Sequence, residues 1–166
     1  GFIIGSIGSK KFQNLELLRK PYVDSRKLQR FSIDEKSLPP NEETHYYRSA
    51  KTKRKIFSGP HLLINQSPKK ERLIAALLKN DAVFKDTILG IHGKESELNQ
   101  LAMCCLVVNS YIALYYMMLT SRKWLVERDS FQKEEIMNIP MPTNILDTNN
   151  ITYDYLTNLS KNPKAD

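Results

Sequence analysis

The residues of this chain best suited to chemistry are cations, not nucleophiles. Arg48, Lys51, Lys53, Arg54 and Lys55 form a dense basic run, and His61, Gln66, Lys69 and Lys70 follow it closely. A second group, Arg122 and Lys123, directly precedes Trp124, the only tryptophan. Cations gathered this way neutralise phosphates and release their counterions, so binding built on them weakens steeply with salt. Phosphate contacts fix position, whereas reading bases takes forked or planar groups. Arg48, Arg54, His61, Asn65 and Gln66 supply such groups. Trp124 can pack on a cation or a base, or anchor a core. Read without a ligand, the same basic run is a solvated loop, and Tyr46 and Tyr47 beside it are core residues.

Other chemistries lack their residues. His45, His61 and His92 stand apart from carboxylates and cysteines at metal-ligand spacing. The run Gly5-Ser6-Ile7-Gly8-Ser9-Lys10 is too short to wrap a phosphate as a P-loop does. No Gly-x-Ser-x-Gly elbow occurs. The pairs Glu42-Glu43 and Glu134-Glu135 lie on surface segments, where nothing local raises a carboxyl pKa. Asp34-Glu35-Lys36 has no partner carboxylate, which disfavours a nuclease. Cys104 and Cys105 are adjacent in an apolar run, too close for an ordinary structural disulfide, and read as small buried hydrophobes of a reducing cytosol.

The charge is unevenly placed. Of a net +7, residues 1–80 hold 17 Lys and Arg against 7 acids, and residues 81–166 hold 8 against 11. That asymmetry points to an anionic partner, nucleic acid or an acidic lipid surface. With 166 residues, 41% of them hydrophobic, the chain reads as one domain able to bury roughly two-thirds of its unfolded surface without a disulfide or metal. The opening Gly1-Phe2-Ile3-Ile4 has no charged leader and reads as an internal cut in a longer protein.

The elements that must position these residues follow from breaks and periodicity. Residues 12–18 read as a short helix or strand ended by Pro21, and residues 22–47 as loop-rich and extended. Residues 56–66 read as the clearest strand, kinked at Gly59-Pro60. Residues 69–80 read as a short helix, capped by Ser67 with Pro68 at its first position. Val83 to Leu89 suggest a further strand closed by Gly90 and Gly93. A long helix over 96–121, with Ser96 as cap and Asn109-Ser110 in its middle, is apolar nearly all round and needs covering elements. Leu98 to Leu119 is long enough to test as a membrane span, but its polar interruptions favour a buried core helix and no membrane partner. Residues 136–142 read as extended and residues 153–159 as a last short helix. Strands early and a dominant helix late make the fold class α+β, with a sheet layer packed on helices.

From Arg48 to Pro142 the sequence resembles the C-terminal specificity (target-recognition) domain of N6-adenine DNA methyltransferases. These are TaqI-like and type IIG restriction-modification enzymes, related to the specificity subunits of type I systems. The resemblance is carried, in order, by the basic segment running into Phe57-Ser58-Gly59-Pro60-His61-Leu62-Leu63-Ile64 and by Val83-Phe84-Lys85-Asp86-Thr87-Ile88-Leu89-Gly90-Ile91. Val107-Val108-Asn109-Ser110-Tyr111-Ile112-Ala113-Leu114-Tyr115-Tyr116 and Thr120-Ser121-Arg122-Lys123-Trp124 come next, and Glu135-Ile136-Met137-Asn138-Ile139-Pro140-Met141-Pro142 closes it. It implies a variable part over 1–47, a family-like core over 48–142 and a C-terminal helix and tail over 143–166. It also implies a curved sheet against a long buried helix, double-stranded DNA as ligand and an upstream methyltransferase domain as partner. The family's Asn/Asp-Pro-Pro-Tyr/Phe motif is absent, since Ser37-Leu38-Pro39-Pro40-Asn41 lacks both acceptor and aromatic, and so is its Phe-x-Gly-x-Gly loop. S-adenosylmethionine and catalysis therefore belong to the parent enzyme, and this chain is expected to hold DNA while an adenine is flipped elsewhere. By their charge and side-chain shape, Arg48, Lys51, Lys53, Arg54, Lys55, His61, Gln66, Lys69, Lys70, Arg122 and Lys123 are the expected DNA contacts. The alternative is an interaction or scaffold domain whose apolar helix docks on a partner.

Overall fold

In the computed structural model, residues 12–13, 15–46, 54–69, 72–121, 130–142 and 151–161 are described. Seven strands come first: Phe12–Gln13 (β1), Tyr22–Val23 (β2), His45–Tyr46 (β3), His61–Lys69 (β4), Arg72–Leu78 (β5), Val83–Phe84 (β6) and Ile88–His92 (β7). Four helices follow: Leu98–Val108 (α1), Tyr111–Thr120 (α2), Lys133–Met137 (α3) and Ile151–Lys161 (α4). The class is α+β.

The centre is an antiparallel sheet in the order β5-β4-β7. Side chains alternate across it because successive residues of a strand point to opposite faces. Leu62, Ile64, Leu73 and Ala75 turn to one face and pack with α1, α2, α3 and α4 through Leu101, Ala102, Cys105, Val108, Ala113, Met117, Ile136 and Leu156. Leu63, Ala76, Leu78 and Ile88 turn to the other and meet Leu17, Val23, Leu28, Phe57, Ala82, Val83 and Phe84. The second layer is mostly short turns and two-residue strands. β1 pairs with β3 antiparallel and β2 with β6 parallel. Asn41 pins that layer, its buried Nδ2 donating to the Leu17 carbonyl at 2.7 Å.

Several elements differ from the sequence reading, each for a local reason. Residues 72–78 form a strand, not a helix. The spacing of Leu73, Ala75, Ala76 and Leu78 suits a strand buried on both faces as well as a helix, and pairing with β4 decides. Pro68 lies in β4 instead of opening a helix. Ile56 and Phe57 belong to the 3-10 turn Arg54–Phe57, so the strand begins only at His61. Val83 to Leu89 divides into β6 and the start of β7, and Gly90 lies inside β7 rather than closing it. A Cβ at Gly90 would run into the Phe84 ring, which explains the small residue. Residues 133–137 are helical, started by Gln132 with Glu135, whose Oε2 accepts from the Gln132 N–H at 2.7 Å.

The long helix is two helices bent by 66°. Asn109 ends α1, its N–H donating to the Cys105 carbonyl. Ser110 begins α2, its Oγ accepting from the Ala113 N–H at 3.2 Å. Serine is a strong N-cap, so the Asn-Ser pair is a boundary rather than an interruption. Ser96 sits inside the 3-10 turn Glu95–Glu97 and caps nothing. Among the described residues no single helix is long and apolar enough to cross a membrane; α1 and α2 pass that test only together, across the bend.

Candidate nucleic-acid interface

β4 outruns its neighbour β7. Its last partner there is Ile88, opposite Asn65, whereas pairing with β5 resumes at Lys69 opposite Arg72 after an irregularity between Asn65 and Lys69. The Asn65 side chain sets that irregularity, its Oδ1 accepting from the Ser67 N–H at 3.0 Å. Beyond β7, then, residues 66–69 of β4 and 72–73 of β5 continue as the short end of a two-stranded ribbon, with one further pair in register. Its base is held from both sides of Gln66, whose N–H donates to the Thr87 carbonyl at 3.1 Å and whose carbonyl accepts from the buried Phe131 at 2.8 Å.

Two arginines lie against aromatic rings beside the outer edge of β5, Arg72 on the strand and Arg30 in the loop that bridges to it. The Arg72 guanidinium carbon lies 3.7 Å from the centroid of Tyr111, the first residue of α2. The Arg30 guanidinium carbon lies 4.9 Å from the Phe31 ring. Phe31 has a φ of 68°, a left-handed conformation that costs a non-glycine residue about 1–2 kcal/mol. It is held by its N–H, which donates to the Ala75 carbonyl at 2.8 Å, and by a bridge to Ala76. Arg72 therefore opens β5, and the Arg30–Phe31 loop meets the strand at Ala75 and Ala76, roughly 10 Å further along by strand rise.

The expected contact residues do not form one cluster among the described residues. Lys55 is exposed on the turn that precedes β4. Lys69 and Arg72 close the far end of the ribbon, roughly 25 Å along the strand. Gln66 is half-buried at the ribbon base. His61 is corrected outright. It is 0% exposed, packed edge-on against Phe84 with its Nδ1–H donating to the Ile56 carbonyl at 3.1 Å, so it cannot reach a base edge. Burial holds its pKa below the ordinary value, which keeps it neutral. Arg48, Lys51, Lys53, Lys70, Arg122 and Lys123, with Trp124, lie outside the described residues, as do the side chains of Arg54 and Lys69.

Arg30, Arg72 and Tyr111 were missed by the sequence reading. The signal for Arg72 is a cation just past a Lys-Lys pair, hidden because residues 69–80 read as a helix. No signal marked Arg30 and Phe31, whose place depends on a loop packing against a strand edge.

A second surface adjoins the Arg72–Tyr111 stack. α2 exposes Tyr111, Ile112, Tyr115, Met118 and Leu119, with Ile112 79% exposed, while Ala113 and Met117 face the core. The helix has no charged residue. The exposed set follows the i, i+4, i+7, i+8 rhythm of a helix face made to be covered. Using about 100–150 Å² per exposed apolar or aromatic side chain, it amounts to roughly 600 Å², beyond the few hundred usual for a bare patch.

The remaining reactive groups are structural. Cys105 is buried and its thiol is pushed far up by desolvation, while its Sγ donates to the Ala75 carbonyl at 3.4 Å. Cys104 shifts the same way. Among the described residues no three of His, Cys, Asp and Glu gather as a metal site. No known family's model and no curated protein matches this chain.

Proposed function

We propose that this chain is the DNA target-recognition part of a restriction-modification N6-adenine DNA methyltransferase. It would hold duplex DNA for a catalytic domain elsewhere in the parent protein, where S-adenosylmethionine would bind. The observation that carries this reading is the β4–β5 ribbon, which passes β7 and closes on the cationic pair Lys69 and Arg72. A two-stranded ribbon fits the major groove, about 12 Å wide. Lys55, at the opposite end of β4, is far enough away to meet a phosphate on another part of the same duplex. The uncharged face of α2 would supply a seat for the upstream methyltransferase domain, meeting the ribbon where Tyr111 stacks on Arg72. The chain's own role is then to position DNA, and the reaction belongs to its partner.

The test is binding of a labelled random duplex, followed by anisotropy as salt rises. For about four phosphate contacts, affinity falls roughly 100-fold between about 50 and 200 mM salt. Absence of binding at the lower salt, or affinity indifferent to salt, removes the reading.

The exposed face of α2 also favours a second reading, an interaction or scaffold domain in which covering that face is the whole function. Under it, Ile112→Glu abolishes a complex seen by light scattering, and duplex DNA binds no more tightly than to any protein of equal charge.

A further inference from the structure

We propose that the outer edge of β7 is a docking edge for a second copy of this chain. The two β7 strands pair antiparallel about Gly90 and join two sheets into one. The inference goes beyond the duplex-DNA reading and does not depend on it.

The two edges of the central sheet are built differently. In an antiparallel pair, alternate residues turn their peptide groups toward the neighbouring strand and the rest turn them away. On β5 the outward groups are used. The Ala75 N–H donates to the Asn109 Oδ1 at 3.1 Å, and its carbonyl accepts from the Phe31 N–H at 2.8 Å. On β7 the inward set is marked by Gly93, whose N–H donates to the Pro60 carbonyl, and by Thr87, whose carbonyl accepts from the Gln66 N–H. Counting by twos between them puts the peptide groups of Ile88, Gly90 and His92 on the outer edge. The Ile88 N–H turns back to the Lys85 carbonyl at 3.0 Å. Among the described residues nothing bonds the N–H or carbonyl of Gly90, the N–H of His92 or the carbonyl of Ile88.

This edge also lacks the features that deter pairing. Sheets commonly blunt an exposed edge with charge, proline or a bulge. Ile88–His92 holds no Lys, Arg, Asp, Glu or proline, and its register with β4 runs without irregularity.

Self-complementarity selects a second copy as the occupant. A two-fold axis at Gly90 sets Gly90 against Gly90, Leu89 against Ile91 and Ile88 against His92. The Gly90 N–H then meets the other copy's Gly90 carbonyl, and the His92 N–H meets the other copy's Ile88 carbonyl. The central pair carries no side chain, so the backbones approach unhindered. Leu89 and Ile91 are partly buried apolar residues that meet their like. Just outside the strand, exposed Asp86 falls opposite exposed Lys94, twice by symmetry. Sliding the pairing by two residues sets Lys94 against Ile88 or Phe84 instead, so charge fixes the register. The contact is shorter than a standard interface of roughly 800 Å² a side, and the dimer is accordingly weak, with a Kd on the order of 100 µM.

The experiment is analytical ultracentrifugation of the full chain from about 5 to about 500 µM in low salt, with amide hydrogen exchange measured at both ends of that range. The expected result is a monomer at the lower end and a growing dimer at the upper. The Gly90 and His92 amides should exchange more slowly only at the upper end. Asp86→Lys and Lys94→Glu should each weaken the dimer roughly tenfold, because each sets like charges face to face twice. The double variant Asp86→Lys/Lys94→Glu should restore it. Both positions are exposed, and an unchanged far-ultraviolet spectrum checks that each variant folds. A monomer throughout overturns the proposal. A dimer in which Gly90 and His92 exchange at the monomer's rate also overturns it, and places the contact on another face such as α2. Slow exchange of these amides already at the lower concentration overturns it too, because another segment of the same chain then covers the edge. A double variant no tighter than the single ones overturns the pairing about Gly90.

Discussion

Asn109 and Ala75 are joined by hydrogen bonds in both directions. The Asn109 Oδ1 accepts from the Ala75 N–H at 3.1 Å, and its Nδ2 donates to the Ala75 carbonyl at 2.8 Å. The same Nδ2 donates to the Cys105 carbonyl at 2.7 Å. One side chain thus satisfies the exposed backbone of an edge strand, ends α1, and fixes where α2 departs. An amide does this because it carries donor and acceptor side by side, as a peptide group does.

Asn109→Ala should therefore cost more than the loss of one average contact. It leaves the buried Ala75 N–H on β5 without its partner, at about 1–3 kcal/mol, while the Cys105 carbonyl keeps the backbone N–H of residue 109. A loss of about 1–3 kcal/mol in urea unfolding is expected, with the slope against denaturant unchanged. Asn109→Asp should not rescue it, since a carboxylate has no donor for the Ala75 carbonyl.

Gly90 should tolerate no side chain while Phe84 stands. A Cβ there meets the Phe84 ring, which is itself fully buried and packed edge-on to Phe57 at 5.2 Å between centroids. Gly90→Ala is expected to destabilise by about 1–3 kcal/mol through overpacking. Phe84→Leu in the same chain should recover part of that loss. Additive losses in the double variant, measured by chemical unfolding, would refute the contact as the cause.

His61 gives stability a defined dependence on pH. Burial lowers its pKa in the folded chain, so the folded form stays neutral where the unfolded chain takes up a proton. Stability is then fully present above the unfolded value of about 6.5 and falls below it, by up to about 1.4 kcal/mol per pH unit. Asp81 and His92 are the titrating groups that act on the ring, the first favouring its charge and the second opposing it. Asp24, held near 2 mainly by its hydrogen bond to Arg26, and Asp81, lowered mainly by Lys20, also lose stabilising charge as pH falls, but only below the ordinary carboxylate value of 3.8. Both are exposed enough for solvent to screen most of the effect. Urea midpoints measured from pH 8 to pH 5 should fall below 6.5, and His61→Gln should flatten that slope. An unchanged slope in the variant would assign the effect to other groups.

The two faces of α2 should respond oppositely to substitution. Met117 is fully buried, and Met117→Ala is expected to cost about 2–5 kcal/mol. Ile112 lies five residues earlier on the exposed side, and Ile112→Lys should change unfolding free energy by no more than about 0.5 kcal/mol. The same change should raise solubility and reduce binding of a hydrophobic dye, because it places a charge in the apolar face. A large stability loss in Ile112→Lys would mean that this face is already covered.

Part of this architecture was legible in the residues. Strand and helix periodicities, with β-branched and apolar runs bounded by proline and glycine, were enough for α+β and for β4, α1 and α4. Local chemistry could have shown more, since Ser110 is a good helix cap and its pairing with Asn109 marks a break. The segment 72–78 could not be decided locally. Leu73, Ala75, Ala76 and Leu78 fit a helix face and a doubly buried strand alike, and only the backbone partners offered by β4 choose between them. The burial of His61 was equally hidden, because it depends on Phe84 and Ile56 closing over the ring.

The amino-acid sequence alone determined the sign and asymmetry of the charge, the apolar spine at 98–119 and the class of fold, because these depend on composition and on contacts between near neighbours. Tertiary structure alone decided that β4 and β5 outrun β7, that Arg72 meets Tyr111, and that α2 turns five apolar side chains outward. Those features arise where segments distant along the chain compete for the same strand edge. Hydrogen bonds across that edge choose the winner, and no local pattern records them.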